Sequence, residues 1–237
     1  MRLFFAGSFS GVKEDVLKEW GMENKLYSYV NEPKNAVRWG SKGLLLDSGA
    51  FSAWSKGVKI DPNALCDFIE EHKPEFAIQL DTIGDAEASW HNFVDMDKRV
   101  DVLPVIHSGA TDFQIRRVLN SKEYICLGAI STMQSNKDSL KKWIDHIFAF
   151  PEIRNKKIHA LGIMSEDILL RYPFYSADSS SALSAVRYPV NPDDKYLFWK
   201  QKTQHYTRLY EDSIKRQLEL QKHVTEVWKK RGIEWDD

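Results

Sequence analysis

Short apolar runs recur through the first 180 residues of the chain, and each ends in small or polar residues. They read LFFAGS, GLLLDSG, FAIQLDT, LPVIHSG, YICLGAIS, KIHALGIMS and YSADSSS. Runs of this kind, bounded by turn-forming residues, are typical of buried strands. Amphipathic stretches of helical length lie between them, for example at 62–72, 86–99, 112–119 and 140–150. Strands that alternate with helices predict a parallel sheet.

Three polar residues stand where these helices need an N-cap. Asp61 precedes Pro62, which combines a capping side chain with proline at the first helical position. Thr111 and Ser165 hold the same place before two later helices. The pattern therefore predicts helix starts at these three points.

The number of strands favours a closed barrel. Seven strands are clear and an eighth is expected at 185–190, so an α/β TIM-type (β/α)8 barrel is preferred to an open doubly wound sheet. The length of 237 residues fits one such domain. We expect residues 1–192 to form the barrel. Residues 193–237 are expected to form a polar helical extension packed across it by an apolar stripe of Leu197, Ile214, Leu218 and Leu220.

Composition and charge limit the class of protein. Hydrophobic content of 43% and charged content of 28% are those of a globular protein, and no apolar run is long enough to span a membrane. The opening MRLFFAGSFSG is too short for a secretory signal and predicts a first buried strand, so a cytoplasmic protein is expected. Cys66 and Cys126 are far apart and are interpreted as reduced structural thiols. Net charge is −1, but residues 195–231 hold ten Lys and Arg against four Asp and Glu.

Polar residues follow nearly every predicted strand. In a (β/α) barrel the carboxyl ends of the strands meet at one mouth, where the reacting groups lie. The residues at these ends are Asp47, Ser48, Asp81, His107, Ser108, Ser131 and Asp178. Three carboxylates from three strands would then face one pocket. The alternative is that each Asp caps a following helix or turn.

Converging carboxylates suit the chemistry of glycosidic bonds, in which one attacks an oxocarbenium-like carbon and another handles the proton of the leaving group. A carboxylate also accepts the N1 and amino protons of guanine. Gly49, Gly109 and Gly128 stand at the same strand ends and would let a flat ligand approach the backbone closely. Each could equally serve a tight turn.

Six blocks in order resemble a known family. They are DSGAFS (47–52), LDTIGD (80–85), VIHSG (105–109), LGAIS (127–131), HALGIMSED (159–167) and SADSSS (176–181). Together they resemble the tRNA-guanine transglycosylase (queuine tRNA-ribosyltransferase) superfamily. They are most similar to its short phage-type branch, which puts 7-deazaguanines into DNA. The similarity runs through residues 2–182, most of the predicted barrel.

The resemblance implies a base exchange through a covalent sugar–enzyme intermediate. Asp178 matches the nucleophile, Asp47 the acid/base carboxylate and Asp81 the carboxylate that reads the purine edge. Ser48 would lie beside them, and the backbone of Gly128 and Ala129 would contact the 7-substituent. Where the family has a base-contacting Gln-Gly-Gly, this chain has His107, Ser108 and Gly109.

Other departures concern the nucleophile and the metal. The aromatic-Asp-Cys-X-X-Pro-Thr-Arg run usual around the nucleophile is absent near Asp178. The zinc-binding Cys-X-Cys-X-X-Cys with a later His is also missing, so we expect no zinc subdomain, no metal and no cofactor. The short chain and the missing zinc module favour DNA over tRNA as the acceptor. The second substrate would be a free 7-deazaguanine base of the preQ0 or preQ1 type.

The basic C-terminal segment, which is rich in aromatic residues, is the predicted nucleic-acid surface. Its cations for phosphate contacts are Lys200, Lys202, Arg208, Lys215 and Arg216. The alternative is a solvated helix face. Two other functions stay open: a barrel hydrolase of N-glycosidic or glycosidic bonds, and an inactive nucleic-acid-binding subunit of a transglycosylase complex. Whether the chain forms a homodimer also stays open.

Overall fold

The computed structural model describes residues 1–128, 136–187 and 199–235. Its strands are all parallel and pair in the order β4-β3-β2-β1-β8-β7-β6-β5. They are β1 Arg2–Ala6, β2 Lys25–Ser28, β3 Leu44–Asp47, β4 Phe76–Ala77, β5 Val105–His107, β6 Tyr124–Gly128, β7 Lys157–Ala160 and β8 Ser176–Ser179.

A bridge joins the two edges of this sheet. Ile78, just after β4, pairs in parallel with Leu103, just before β5. Backbone hydrogen bonds flank the bridge, from Leu103 N to Ala77 O at 2.7 Å and from Gln79 N to Leu103 O at 3.1 Å. The strands therefore curl into the TIM-type α/β barrel that the sequence predicts, and the fold class is confirmed.

Helices connect the strands and cover the outside of the barrel. They are α1 Glu14–Glu19, α2 Pro33–Trp39, α3 Ala50–Ser55, α4 Pro62–His72, α5 Ala86–Met96, α6 Asp112–Leu119, α7 Lys137–Phe148, α8 Glu166–Leu169, α9 Ser181–Arg187 and α10 Trp199–Lys230. The helices predicted at 62–72 and 112–119 have these bounds in the structure. The helix predicted at 86–99 ends three residues early, and the one predicted at 140–150 is shifted toward the N-terminus.

Local hydrogen bonds explain the helix starts. Asp61 accepts from Asn63 N at 2.9 Å, and Thr111 forms a capping box with Gln114. Ser165 stands at the N-cap of α8 but makes no capping hydrogen bond, because its hydroxyl bonds to Asp167 instead. The shifted start of α7 comes from Asn136, which accepts from Ser139 N at 3.1 Å.

The prediction of the eighth strand was wrong. The strand between β1 and β3 is β2, whereas 185–187 ends α9 and 188–190 lies outside the described residues. Sequence reasoning missed β2 because it begins with a lysine. Lys25 is fully buried, its Nζ donates to Phe5 O at 2.9 Å and to Gly7 O, and the rings of Phe9 and Tyr27 flank it. Burial lowers the pKa of Lys25 to about 7, against the opposing charges of Glu32 and Glu14.

Apolar side chains alternate between two cores, as the two-residue period of a strand requires. In β1, Leu3 and Phe5 point toward the surrounding helices, whereas Phe4 packs inside the barrel. The strands are therefore buried on both faces, which is why their sequences read as nearly continuous apolar runs. The interior cluster consists of Phe4, Leu26, Leu45, Ile78, Leu103, Val105, Tyr124, Cys126 and Tyr175.

Helix α10 packs on the outside of the barrel through one buried stripe. Tyr210 packs against Phe9 with ring centroids 5.1 Å apart, and Trp228 donates to Leu169 O at 2.8 Å. Ile214 of the predicted stripe is fully buried, Leu218 and Leu220 are partly buried, and Leu197 lies outside the described residues. In the described ranges, each helix is too short or too polar to cross a bilayer.

Candidate active site

A cavity of about 690 Å³ opens at the carboxyl ends of the strands, and Asp47, Asp81 and Asp178 all line it. The three carboxylates come from the ends of β3 and β8 and from just after β4. They also interact electrostatically, because the charges of Asp81 and Asp178 both act on Asp47. The structure therefore brings together the three acids that the sequence predicted to share a pocket.

Asp47 is fixed by a tight turn. Its carboxylate accepts a hydrogen bond from the backbone of Gly49, which has a left-handed φ of 78°. A Cβ on Gly49 would lie 2.5 Å from Ser28 Oγ and 2.9 Å from Val30 Cβ, so the turn requires glycine for both conformation and space. Burial raises the pKa of Asp47 to about 7, although the Gly49 hydrogen bond opposes the shift. Asp47 can therefore both give and take a proton near neutral pH.

Asp81 pairs with His107 across the junction of β4 and β5. Its Oδ1 accepts from Nε2 of the buried Gln79 at 2.8 Å and lies 3.1 Å from His107 Nε2. The contact between His107 and Asp81 is at ion-pair distance. Burial alone would lower the pKa of His107, but Asp81 outweighs burial and raises it. The pair offers an acceptor and a donor side by side.

Asp178 is almost completely buried at the end of β8, with 7% of its surface exposed. Its Oδ1 accepts from Gly162 N at 2.7 Å and lies 3.3 Å from His159 Nε2. Gly162 has a left-handed φ of 71°, a conformation that favours glycine. Among the described residues, none donates a hydrogen bond to Oδ2. One carboxylate oxygen is thus held and the other is available to a ligand.

The remaining predicted substrate contacts divide into two groups. Ser108, Gly109 and Gly128 line the cavity, whereas Ser48 is 1% exposed and does not. A Cβ on Gly128 would lie 2.7 Å from Val105 Cγ1, so this glycine is needed for packing between β5 and β6 whatever the ligand. Ala129, like Ser131, lies outside the described residues.

Two aromatic side chains at the rim were missed as site residues. Phe51 and Trp54, on α3, line the cavity while 50% and 61% exposed, with ring centroids 5.9 Å apart. The sequence signal was their place directly after the Asp47 turn. Their exposure was not predictable, because a six-residue helix shows no clear amphipathic period. Exposed aromatic rings at the mouth of a cavity suit a flat partner.

The predicted basic residues whose side chains the structure describes lie on α10 and do not line the acidic cavity. Arg208, Lys215 and Arg216 are exposed on α10, and Lys215 pairs with Glu211 at 2.6 Å. The side chains of Lys200 and Lys202 lie outside the described part of the chain. In that part, α10 contributes nothing to the lining of the acidic cavity. Its C-terminal half instead lines a cavity of about 1080 Å³ at the opposite end of the barrel, beside Met1, Asn24 and Gly43.

Over residues 1–128, 136–187 and 199–235, no group of three or more His, Cys, Asp or Glu side chains is placed to hold an ion. Cys66 and Cys126 are both buried and neither forms a disulfide. Fold and cavity together define a TIM-type barrel with an acidic mouth at the carboxyl ends of its strands.

No protein-family model and no curated protein matches the chain, so comparison rests on solved structures. Monomers of phosphoribosylanthranilate isomerase from Thermotoga maritima match with a TM-score of 0.55 at 15% identity, over 94% of this chain and 99% of theirs. A structure from Aquifex aeolicus matches with a TM-score of 0.52 at 10% identity, over 91% of this chain and 92% of that one. N-acetylneuraminate lyase from Mycoplasma synoviae matches with a TM-score of 0.46 at 14% identity, over 89% and 79%. At such identities the first two show the barrel fold alone, and the third adds no argument.

Proposed function

We propose that this chain is a barrel enzyme that exchanges guanine in a nucleic acid, DNA in preference to tRNA, for a 7-deazaguanine base. The observation that carries the proposal is the meeting of Asp47, Asp81 and Asp178 in one cavity of about 690 Å³. A cavity of this size holds a purine nucleoside. Glycosidic chemistry needs one carboxyl group that transfers a proton and another that attacks the sugar, and the raised pKa of Asp47 suits the first role.

Asp178 is the proposed nucleophile. Its Oδ2 attacks C1′ of the target nucleotide, so that an ester bond to the sugar forms while the bond from C1′ to N9 of guanine breaks. Asp47, with its pKa raised to about 7, gives its proton to the departing base. In the second half, Asp47 takes the N9 proton of the incoming 7-deazaguanine. That nitrogen then attacks C1′ and releases Asp178 as a carboxylate.

Asp81 and His107 are the proposed readers of the base. A carboxylate accepts from both N1–H and the exocyclic amino group of guanine, an arrangement that adenine does not offer. Gln79 keeps Asp81 in place by its hydrogen bond at 2.8 Å. His107, 3.1 Å from Asp81, stabilises the negative charge and adds a donor at the same edge. Guanine and 7-deazaguanine share this edge, so one pocket serves both.

Phe51 and Trp54 support a nucleic-acid substrate. A base must leave the helical stack before it reaches a buried carboxylate such as Asp178. Aromatic rings that line the cavity and remain about half exposed offer a stacking surface to flat bases at the entrance. Lys56 and Lys59 follow on the same exposed segment and supply positive charge for the backbone phosphates.

The order of the sequence blocks adds further support. The blocks at 47–52, 80–85, 105–109, 159–167 and 176–181 each contribute at least one residue to the cavity lining. These blocks carry the resemblance to the guanine transglycosylases, and they are separate in sequence. The barrel fold by itself does not require carboxylates at the ends of three strands.

Base exchange is tested by incubating the protein with guanine-containing DNA or tRNA and a radiolabelled 7-deazaguanine. We expect label in the nucleic acid, with one guanine released for each base incorporated. Asp178→Asn should abolish incorporation, while Asp95→Asn, at an exposed carboxyl on α5, should not change it. Release of guanine without incorporation would instead identify a hydrolase. Binding without either product would identify a nucleic-acid-binding subunit.

A further inference from the structure

A buried chain of polar groups leads from the barrel interior to Asp178. The hydroxyl of Tyr124 on β6 lies 2.6 Å from Ser176 Oγ, which lies 2.7 Å from His159 Nδ1. The other ring nitrogen, Nε2, lies 3.3 Å from Asp178 Oδ1. His159 and Ser176 are fully buried, and Tyr124 is 9% exposed. Tyr124, Ser176 and His159 have no part in the steps proposed for Asp47, Asp81, His107 and Asp178.

The hydrogen bonds from Tyr124 to Asp178 have one consistent donor-to-acceptor direction when the His159 imidazole is neutral. An ionised Asp178 only accepts, so His159 carries its proton on Nε2 and its Nδ1 accepts from Ser176. The Ser176 oxygen then accepts from the hydroxyl of Tyr124. Burial raises the pKa of Tyr124 well above its ordinary value, so this hydroxyl keeps the proton that it donates.

Packing alone does not explain these groups. The interior of a barrel of this size is ordinarily filled by branched apolar side chains, and buried polar groups cost free energy unless every one is satisfied. Here the Phe4 ring packs in a T-shaped arrangement with His159, with centroids 5.8 Å apart, and Phe4 is the β1 partner of Asp178 in register. These hydrogen-bonded polar groups are surrounded by apolar residues, and the last of them contacts Asp178, which is nearly fully buried.

We infer that His159 is a positioning residue for Asp178, oriented by Ser176 and Tyr124, and that it holds Oδ1 so that Oδ2 faces the substrate. The inference rests on the proposed function and adds residues that hold Asp178 without contacting the substrate. Gly162 N, at 2.7 Å, is the other donor to Oδ1. Two donors on one oxygen fix the rotation of the carboxylate.

The same two donors act in both halves of the exchange. As Oδ2 bonds to C1′ and the bond to N9 breaks, Oδ1 becomes the carbonyl oxygen of the ester and keeps its hydrogen bonds. When the incoming base attacks C1′, the electron pair of the breaking bond returns to the carboxylate, and His159 and Gly162 stabilise that charge on Oδ1. No proton moves along these hydrogen bonds in either half of the exchange. The polar groups orient Asp178 and stabilise its charge without acting as a proton relay.

Other titratable groups face Asp178, and they set the background for any pH measurement. Asp47 on β3, Asp81 after β4 and His107 on β5 share its cavity, as do Asp85 and Glu87 at the start of α5. Cys126 on β6 interacts with Asp47, Asp81 and Asp178. Burial raises the pKa of Cys126 well above its ordinary value. Cys126 therefore stays neutral at and below neutral pH.

The test compares His159→Leu with His159→Gln in the full-length protein. The amide nitrogen of glutamine can take the place of Nε2, whereas leucine offers no donor. We expect His159→Leu to lower kcat by about 100-fold with little change in KM for either substrate. The acidic limb of its pH–rate profile should move to higher pH. His159→Gln should recover at least a tenth of the wild-type kcat. Ser176→Ala should lower kcat more than the matched control Ser213→Ala on α10.

A second measurement does not depend on activity. Nitrogen-15 NMR of the His159 ring at pH 7 should show the Nε2-protonated tautomer in the wild type and a loss of that preference in Ser176→Ala. A wild-type kcat and pH profile in a folded His159→Leu protein would overturn the inference. A ring protonated on Nδ1 would do the same. If the wild type exchanges no base, the proposed function fails, and the NMR result alone then decides whether His159 orients Asp178.

Discussion

His107 Nε2 and Asp81 Oδ1 lie 3.1 Å apart across the seam where the barrel closes. At this seam the two edge strands are joined by a single bridge, between Ile78 and Leu103, and not by a full ladder of hydrogen bonds. Gln79 strengthens it, because its side chain holds Asp81 at one end and accepts from Val105 N at 3.3 Å at the other. The proposed base-reading pair thus stands where two edge strands meet, and its geometry depends on that closure.

Asp81→Asn should weaken recognition of guanine and change the charge of its neighbour. The amide keeps the shape but lacks the negative charge that raises the pKa of His107, so the pKa of His107 should fall. We expect kcat/KM for guanine-containing substrates to fall by roughly 100-fold, the usual loss when a buried hydrogen-bond partner is mismatched. Proton NMR of His107 and exchange kinetics measure the two effects. An unchanged His107 titration would contradict the pairing.

Asp47→Asn should stabilise the fold in a pH-dependent way. Folding raises the pKa of Asp47 from 3.8 to about 7, so the folded state binds more protons than the unfolded state between these values. Wild-type stability therefore falls as pH rises from about 4 to about 7, and the variant escapes this loss. Thermal unfolding should show that the free energy of unfolding of Asp47→Asn exceeds that of the wild type by about 1–3 kcal/mol. The difference should grow from pH 4 to about 7 and then level. A gain independent of pH would show that Asp47 titrates normally.

Gly49→Ala should destabilise the protein more than Gly57→Ala. Both glycines have a left-handed φ, 78° and 65°. A Cβ at Gly49 would also lie 2.5 Å from Ser28 Oγ, whereas at Gly57 it would meet nothing within 4 Å. We expect a cost of about 1 kcal/mol at Gly57 and about 3 kcal/mol or more at Gly49. Equal costs in urea unfolding would show that Ser28 and Val30 move aside freely.

Trp54→Ala and Phe51→Ala should weaken binding of single-stranded oligonucleotides. Loss of one stacked base costs about 1–3 kcal/mol, which corresponds to a roughly 5- to 150-fold rise in Kd. Phe113→Ala is the matched control, because Phe113 is 71% exposed and is absent from the cavity lining. Fluorescence anisotropy with a labelled oligonucleotide gives the three values. If the control loses as much affinity as Trp54→Ala, the rim has no special role.

The sequence predicted the barrel well because its strands are buried on both faces. Continuous apolar runs marked seven strands, and capping residues such as Asp61 and Thr111 marked helix starts. Strand β2 was missed because it begins with Lys25, whose Nζ donates to carbonyls that only the folded backbone brings near. Local pattern could not reveal that long-range contact.

The candidate site was predictable only in part, for a similar reason. Asp47, Asp81 and Asp178 were found because strand ends of a barrel share one mouth, a consequence of topology. His159 escaped attention because its role depends on side-chain direction inside the barrel, and β7 offers no sequence cue for it. The basic residues of α10 were named from composition alone, which does not indicate whether they line the cavity, and those whose side chains are described do not.

Covalent capture shows directly whether Asp178 is the nucleophile. The protein is mixed with a guanine-containing oligonucleotide without incoming base, quenched in denaturant, and the adduct is mapped by peptide mass spectrometry. We expect the oligonucleotide to be joined through its sugar to the peptide that carries Asp178, with guanine lost and no adduct in Asp178→Asn. Base exchange that persists in Asp178→Asn, or an adduct on another residue, would contradict this role of Asp178.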